Sequence, residues 1–462
     1  MTDNDFIVKE IAKFKLSKRR IDMLDGERYF NGIHDIKFRK RTVIGEGGKL
    51  EEVENLPNNK VVDNQYKKMV VQKTNYLLGQ PFTIQSDNDA YTDELKEILN
   101  KKFMRTLKVV GEDALNCGIG YLYPMYNEQG EFVFKRFNPW EVIPLWKDAE
   151  HTELDAFIRI YEVTAYQGHE EKTITKVEVY DDSGVSYFEL SDDGKLVPDG
   201  DGIEKEYFYI DGQGYNWTKI PLIPFKYNNK EIPLINMIKS LQDGLNTIES
   251  NFQNQMEEDP RNTILVIVNY DGQNLGEFRQ NLATYGAVKV RSTDGANGDV
   301  KTLQVEVNAE NYKAIIQLFK KAIIENAMGY DAKDDRMNGN PNQMNIQSMY
   351  SDIDLDANGM ETEFQASFED VLWFINCHLY NTGHGNYEKE DVDIIFNRDM
   401  MLNESEVIDN IRKSVGIISD ETLIAQHPWI DDPQNEMEKI EEQKQTAVEQ
   451  YTNAFNPATG DD

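Results

Sequence analysis

An apolar stripe over residues 234–256 constrains this chain more than any other feature. Leu234, Ile238, Leu241, Leu245, Ile248, Phe252 and Met256 recur every three or four residues, the period that places side chains on one face of an α-helix. Charged and amide residues fill the remaining faces. Asp259-Pro260 ends the helix, because proline has no N–H to donate and its ring clashes with the preceding turn. A β-branched run at 263–268 then reads as a strand, and helical periodicity returns at Tyr312, Ile315, Ile316, Phe319 and Ile323. Two long helices whose ends are joined through a small β-rich insert make a pillar, with no obvious catalytic pocket.

The flanking texture completes the picture. Residues 331–343 are polar and contain Gly339-Asn340-Pro341, which breaks the helix. A third helix then runs from about residue 345 to 380, with Ile346, Met349, Ile353, Met360, Phe364, Phe368, Val371, Ile375 and Leu379 on one side. Residues 1–50 are locally basic, but Ile7, Ile11, Phe14, Ile21, Leu24 and Phe30 interleave with the bases, so an amphipathic surface helix is favoured over a nucleic-acid arm. Residues 60–78 and 91–116 read as helices. From 121 to 226 the chain shortens into alternating runs separated by turns such as Asp182-Ser183-Gly184, the pattern of an antiparallel meander. The insert offers strands at 263–268, 287–291 and 300–307 and a short helix near 275–282. Residues 392–396 form a lone late strand, and 403–455 return to acidic helices broken at His427-Pro428.

Composition narrows the function. A chain of 462 residues buries a sizeable core and makes two or three domains. The longest apolar runs, 264–268 and 371–375, fall far short of the roughly 20 residues a membrane helix needs. The start has neither a basic nor an apolar leader region, so no secretory signal is visible. Cys117 and Cys377 fit a reduced intracellular setting better than a disulfide framework. Eighty-two acids against 49 bases give a net charge of −33, the opposite of a simple nucleic-acid binder.

Candidate sites are few. Asp354, Asp356, Asn358 and Gly359 match the first half of a calcium loop, but Gln365 stands where a bidentate Glu is required, and a solvated acidic helix face is expected instead. His378 and His384 beside Cys377 lack a second close ligand pair for zinc. No phosphate-cradling loop ends in Lys-Ser or Lys-Thr, and no hydrolase triad signature occurs. No catalytic residue, metal site or cofactor is expected.

The order of these pieces resembles the portal proteins of tailed double-stranded DNA bacteriophages, specifically the family from siphophages of Gram-positive hosts. Tyr29-Phe30-Asn31-Gly32, the asparagine segment from Asn58 to Asn64, and Tyr76-Leu77-Leu78-Gly79-Gln80-Pro81 are similar to elements of that family. So are Phe137-Asn138-Pro139-Trp140, Ile220-Pro221-Leu222-Ile223-Pro224-Phe225 with Asn228-Asn229, and the helix start around Asp243 and Asn246. The resemblance implies an α+β portal fold. Residues 1–230 form the N-terminal part of an α/β wing, 231–259 and 309–330 the stem helices, and 260–308 a small α/β clip. Residues 331–344 become a tunnel loop, 345–402 return to the wing, and 403–462 form a helical crown and tail, whose polar end departs from the family pattern.

The resemblance also implies a function: a ring of subunits, usually about twelve, that is the channel for genome packaging and ejection at one capsid vertex. Its partners would be further copies of itself, double-stranded DNA, the terminase large subunit that hydrolyses ATP, a head–tail adaptor, and the major capsid and scaffolding proteins. Its location would be the virion, and the host cytoplasm during assembly. The DNA-facing residues would be Lys333, Asp334, Asp335, Arg336, Met337, Asn338, Gly339 and Asn340, and stem packing would rest on Leu241, Leu245, Ile248 and Phe252. An acidic channel wall would repel phosphates at short range, within the ~8 Å over which charge acts at physiological salt. The alternative is another acidic virion protein with a helical spine and no catalytic activity.

Overall fold

The computed structural model describes residues 3–44, 48–54, 56–167, 170–200, 204–210, 212–258, 264–268, 299–303, 308–332, 343–398, 404–430, 436–437 and 439–445. Its first half is a set of short helices wrapped on antiparallel sheets. The amphipathic start is two helices, α1 (Asn4–Lys15) and α2 (Lys18–Phe30), separated where the Ser17 side chain caps the backbone N–H of Arg20 at 3.2 Å. Ile7, Ile11 and Phe14 of α1 are buried against Ile158, Ile160, Val177 and Val179 of the large sheet. Ile21 instead remains 51% exposed, because α2 turns Met23, Gly26 and Tyr29 inward.

Residues 60–64 depart from the expected helix: they are extended, and α3 begins only at Gln65 and ends at Leu78. The helical stretch expected at 91–116 is likewise two helices, α4 (Asp89–Ile98) and α5 (Lys101–Cys117), because Asn100 caps α5 through the N–H groups of Lys102 and Phe103. Gly118 stops α5 at φ 82°, and a Cβ there would lie 2.1 Å from the Glu231 carbonyl oxygen, so only glycine fits.

The meander expected between 121 and 226 is present as two main sheets. Six strands, Val142–Trp146, Leu154–Gln167, Glu170–Asp181, Gly184–Leu190, Leu196–Pro198 and Glu204–Lys205, form an antiparallel sheet. Ile119–Tyr126 lies between Phe132–Phe137 and Ile223–Lys226 in the second, with Tyr121 opposite Phe137 and Leu122 opposite Ile223. The late strand Asp393–Ile395 is not alone as expected; it pairs antiparallel with Thr83–Gln85, so a C-terminal segment closes a sheet begun early in the chain.

Three long helices traverse this assembly. The first two, α6 (Ile235–Glu258) and α7 (Ala309–Asn326), form an antiparallel hairpin, and Ile264–Val268 pairs with Asp299–Leu303 as an antiparallel ribbon between them in the chain. The other expected elements of the insert, at 275–282 and 287–291, lie outside the described residues. The third, α8 (Gln343–Thr382), buries Ile346, Met349, Ile353, Met360, Phe364, Phe368, Val371, Ile375 and Leu379, the side expected from their spacing. It seats on the central sheet through Phe225 against Phe364, at 4.9 Å between ring centres, and through Ser367 Oγ donating to the Pro224 carbonyl at 2.6 Å. One aromatic-rich core therefore runs from α3 through the sheet to α8. Beyond it, Glu404–Ser414 and Asp420–Ala425 are helical. Among the described residues no helix is long and apolar enough to cross a membrane.

Candidate functional site

The helical hairpin is where the chain differs most from an ordinary globular core. Of the expected packing residues, Leu245 is fully buried, while Leu241, Ile248 and Phe252 are half-buried. Phe252 meets Tyr312 of α7 at 4.9 Å between ring centres, and Tyr312 Oη donates to Gln255 Oε1 at 2.9 Å. Gly244 allows α7 to come close, since a Cβ there would lie 2.5 Å from Phe319 Cε1. The stripe is not closed at its ends, however. Met256 is 52% exposed, and on α7 Ile315 and Leu318 are 40% and 66% exposed, because a two-helix hairpin covers only the facing side of each helix.

The amide face of α6 is turned inward as well. Gln242, Asn246, Ser250 and Asn254, four residues apart, are all buried. They receive the backbone of the extended segment 59–63 and of the first turn of α3. Asn59 N–H donates to Asn254 Oδ1 at 2.7 Å, Val61 N–H to Ser250 Oγ at 3.0 Å, Asp63 N–H to Asn246 Oδ1 at 3.1 Å, and Tyr66 N–H to Gln242 Oε1 at 3.0 Å. Gln242 Nε2 returns a bond to the Asp63 carbonyl at 2.7 Å. The fit is one of pitch. Four helical residues advance ~6 Å and two extended residues ~6.6 Å, so the alternate N–H groups of Asn59, Val61 and Asp63 match every fourth side chain of the helix, and Tyr66 completes the row from the first turn of α3. Each such bond contributes about 0.5–1.5 kcal/mol net, and leaving a buried one unmade costs about 1–3 kcal/mol.

His34 belongs to the same seam. It is fully buried, its ring stacks on Tyr29 at 4.3 Å, its Nε2 lies 3.1 Å from the Tyr29 carbonyl and its Nδ1 lies 2.8 Å from Asn246 Nδ2. Since Asn246 Oδ1 is already the acceptor for Asp63 and Gln242, its Nδ2 must donate, which leaves His34 Nδ1 an acceptor and the ring neutral. Burial lowers the His34 pKa, with the Tyr29 carbonyl opposing. Alongside, Tyr29 Oη donates to Asp243, and Lys239 pairs with Asp35 at 2.5 Å and with Asp243 at 3.2 Å. Lys320 ties α7 into the seam, 2.5 Å from Asp63 and 3.6 Å from Glu249. Three sequence segments quoted separately above, around Tyr29, Asn58–Asn64 and Asn246, thus converge on one network.

The expected DNA-facing residues Lys333, Asp334, Asp335, Arg336, Met337, Asn338, Gly339 and Asn340 lie outside the described residues. The chain that leads to them is well fixed. At the end of α7, Met328 N–H donates to the Glu325 carbonyl at 3.1 Å and Gly329 N–H to the Ile324 carbonyl at 2.9 Å, the double bond of a helix-closing turn. That turn needs a left-handed residue, and Met328 supplies it at φ 52°, at a cost of about 1–2 kcal/mol. Lys73 of α3, almost wholly buried, holds the result: its ammonium lies 3.3 Å from the Met328 carbonyl and 2.6 Å from Asp356 Oδ2. Burial pulls the Lys73 pKa down while Asp356 opposes it. Gln72 holds both backbone polar groups of Tyr330, accepting from its N–H at 3.1 Å and donating to its carbonyl at 2.9 Å. The Tyr330 ring stacks on Tyr350 at 4.7 Å, and Tyr350 on Tyr76 at 5.9 Å.

This junction also corrects the acidic face of α8. Asp356 is not solvated; it takes Lys73 and the Tyr227 hydroxyl at 2.7 Å. Asp354 accepts from Tyr76 Oη at 2.5 Å, and Arg398 reaches Asn358 at 2.7 Å and pairs with Glu361. These acids face inward because α3 and the chain near 398 bring cations to them. His378 and His384 are likewise engaged, with Tyr126 Oη 3.0 Å from His378 Nδ1 and Glu94 3.0 Å from His384 Nδ1. Among the described residues no three His, Cys, Asp or Glu side chains are arranged to hold a metal.

Known proteins are similar to this chain over nearly its whole length. A family model described as phage portal protein, SPP1 Gp6-like, matches residues 9–450. The portal protein of Bacillus phage SPP1 is 29% identical over 446 residues, covering 95% of this chain and 87% of its own. The portal protein of Clostridium phage phiCD119 is 27% identical over 456 residues, covering 96% of each chain. Among solved structures, a chain in the neck of a native gene transfer agent particle, computed with C12 symmetry, aligns at TM-score 0.42 and 12% identity over 89% of this chain and 98% of that one. A chain in the neck of the empty particle aligns at TM-score 0.45 and 11% identity over 87% and 92%.

Proposed function

Given that the chain belongs to the SPP1 Gp6-like family of phage portal proteins, and is a portal subunit of the virion, we propose how its parts serve that role. Copies assemble into a ring at one capsid vertex, usually about twelve as in the form implied by the resemblance, and the ring is the channel for genome packaging and ejection. The observation that carries this reading is the α6–α7 hairpin, which stands with Ile315 and Leu318 of α7 exposed on its outer side, 40% and 66%, three residues apart on one helix face. A neighbouring subunit packed against that side would cover them.

Within the ring, α6 and α7 act as the stem, residues 260–308 as the clip, residues 403–462 as the crown, and 331–344 as the tunnel loop. Lys333 and Arg336 meet passing phosphates there, while the abundant acids elsewhere keep DNA from adhering. The protein is structural rather than catalytic, and ATP hydrolysis belongs to the terminase large subunit, which docks with the head–tail adaptor on the ring. Major capsid and scaffolding proteins surround it during assembly in the host cytoplasm. Mass measurement in solution tests the core of this reading. A closed ring has a mass near twelve times 53.4 kDa, and a stable 53.4 kDa monomer at micromolar concentration would overturn it.

A further inference from the structure

We propose that Gln72 and Lys73 of α3 are positioning residues for the channel-facing loop, acting through the three residues on which that loop is rooted. This rests on reading 331–344 as the tunnel loop. The argument begins with an anomaly. A helix-closing turn normally places glycine at its left-handed position, and here glycine comes one residue late, at 329, leaving Met328 at φ 52°. A strained turn persists only where its surroundings over-determine it. The surroundings here are polar and specific. Lys73 takes the Met328 carbonyl, and Gln72 takes both the N–H and the carbonyl of Tyr330, so two successive side chains of α3 fix the direction in which the chain leaves α7.

The same residues reach the far end of the loop. Tyr330 stacks on Tyr350, which lies just inside α8, and Lys73 pairs with Asp356 one to two turns further on. Exit and re-entry of the loop are therefore tied to one support. A Cβ at Gly329 would lie 2.7 Å from Met69 Sδ, so the root also sits flush on α3. The arrangement suits a segment that must stay at one height in the channel while its tip meets DNA. Without the α3 clamp, Met328 would relax out of its left-handed conformation and the loop would leave α7 in another direction.

The test places a nitroxide spin label at the exposed Ala332 in the assembled full-length protein. Ala332→Cys is combined with Cys377→Ser, and Cys117 is buried and stays unlabelled. The parent label is expected to be motionally restricted. Gln72→Leu, which keeps the bulk and removes both bonds, is expected to free it severalfold in rotational rate while ring mass is unchanged. Gln72→Glu is a second, gentler variant. It is free at pH 7.5, where a carboxylate faces the Tyr330 carbonyl, and restricted again only below about pH 4, where a protonated carboxyl regains a donor, because a glutamyl carboxyl ordinarily titrates near 4.3 and Lys67 and Lys68 in the same groove favour its charged form. The parent should show no such pH response. Lys73→Met with Asp356→Asn removes the ion pair without burying a lone charge and should free the label too.

Genome packaging by the same rings is expected to fall several-fold. An unchanged label in both Gln72 variants overturns the inference. Freed labels with normal packaging also overturn it, because the clamp would then serve stability alone. Loss of the ring in the parent protein would instead refute the channel reading itself.

Discussion

His34 shows how much a single buried polar contact can decide. Its Nδ1 is an acceptor only because Asn246 Oδ1 is already occupied, so protonation would set an N–H against an N–H in the middle of the seam. Asp243 opposes and Arg28 adds to the burial that keeps the ring neutral. A histidine with a lowered folded pKa contributes stability that is fully present above its unfolded value near 6.5 and is lost as pH falls below it. His34→Gln offers one donor and one acceptor that do not titrate. The parent is expected to lose several degrees more in melting temperature than this variant between pH 7.5 and 5.5. Parallel losses would show that another group carries the acid sensitivity. The seam itself was partly legible, since Gln242, Asn246, Ser250 and Asn254 repeat every four residues beside the apolar stripe. That repeat signals a shared face; it does not say that a backbone lies on it.

The same limit appears at the scale of elements, where the helices were readable and their neighbours were not. Hydrophobic period located α6, α7 and α8 because burial of one face is a local property of a regular helix. It could not show that the late strand Asp393–Ile395 pairs with Thr83–Gln85, some 310 residues earlier, since strand partners are chosen by the folded sheet. Helix approach offers a direct check. Gly244→Ala should favour an isolated helix by about 0.5–1 kcal/mol, yet its Cβ would meet Phe319. The expected net result is destabilisation of the hairpin, relieved when Phe319→Leu is added; a more stable single variant would show that α7 yields freely. Leu245→Asp places a charge in a fully buried position and is expected to cost several kcal/mol, with aggregates replacing soluble rings. Normal yield from that variant would mean that Leu245 is not enclosed in the assembly.

At the scale of the whole molecule, the channel role proposed for this portal subunit is spread over stem, clip, crown and tunnel loop. Replacing residues 333–340 by a Gly-Ser linker is therefore expected to leave rings of the same mass and to impair packaging. Full packaged-genome yield would reduce the segment to a connector. The linear pattern of the chain was sufficient for the long helices, the antiparallel meander and the acidic character, because these follow from period and composition. Family resemblance was readable in short motifs whose order survives divergence. The tertiary structure alone decided that the amide face of α6 is an internal seam, that half-buried Asp356 pairs with buried Lys73, and that Gln72 grips Tyr330. The reason is physical. Periodicity records which side of an element avoids water, whereas a buried polar group is defined by its partner, and these partners lie 176 to 283 residues away in the chain.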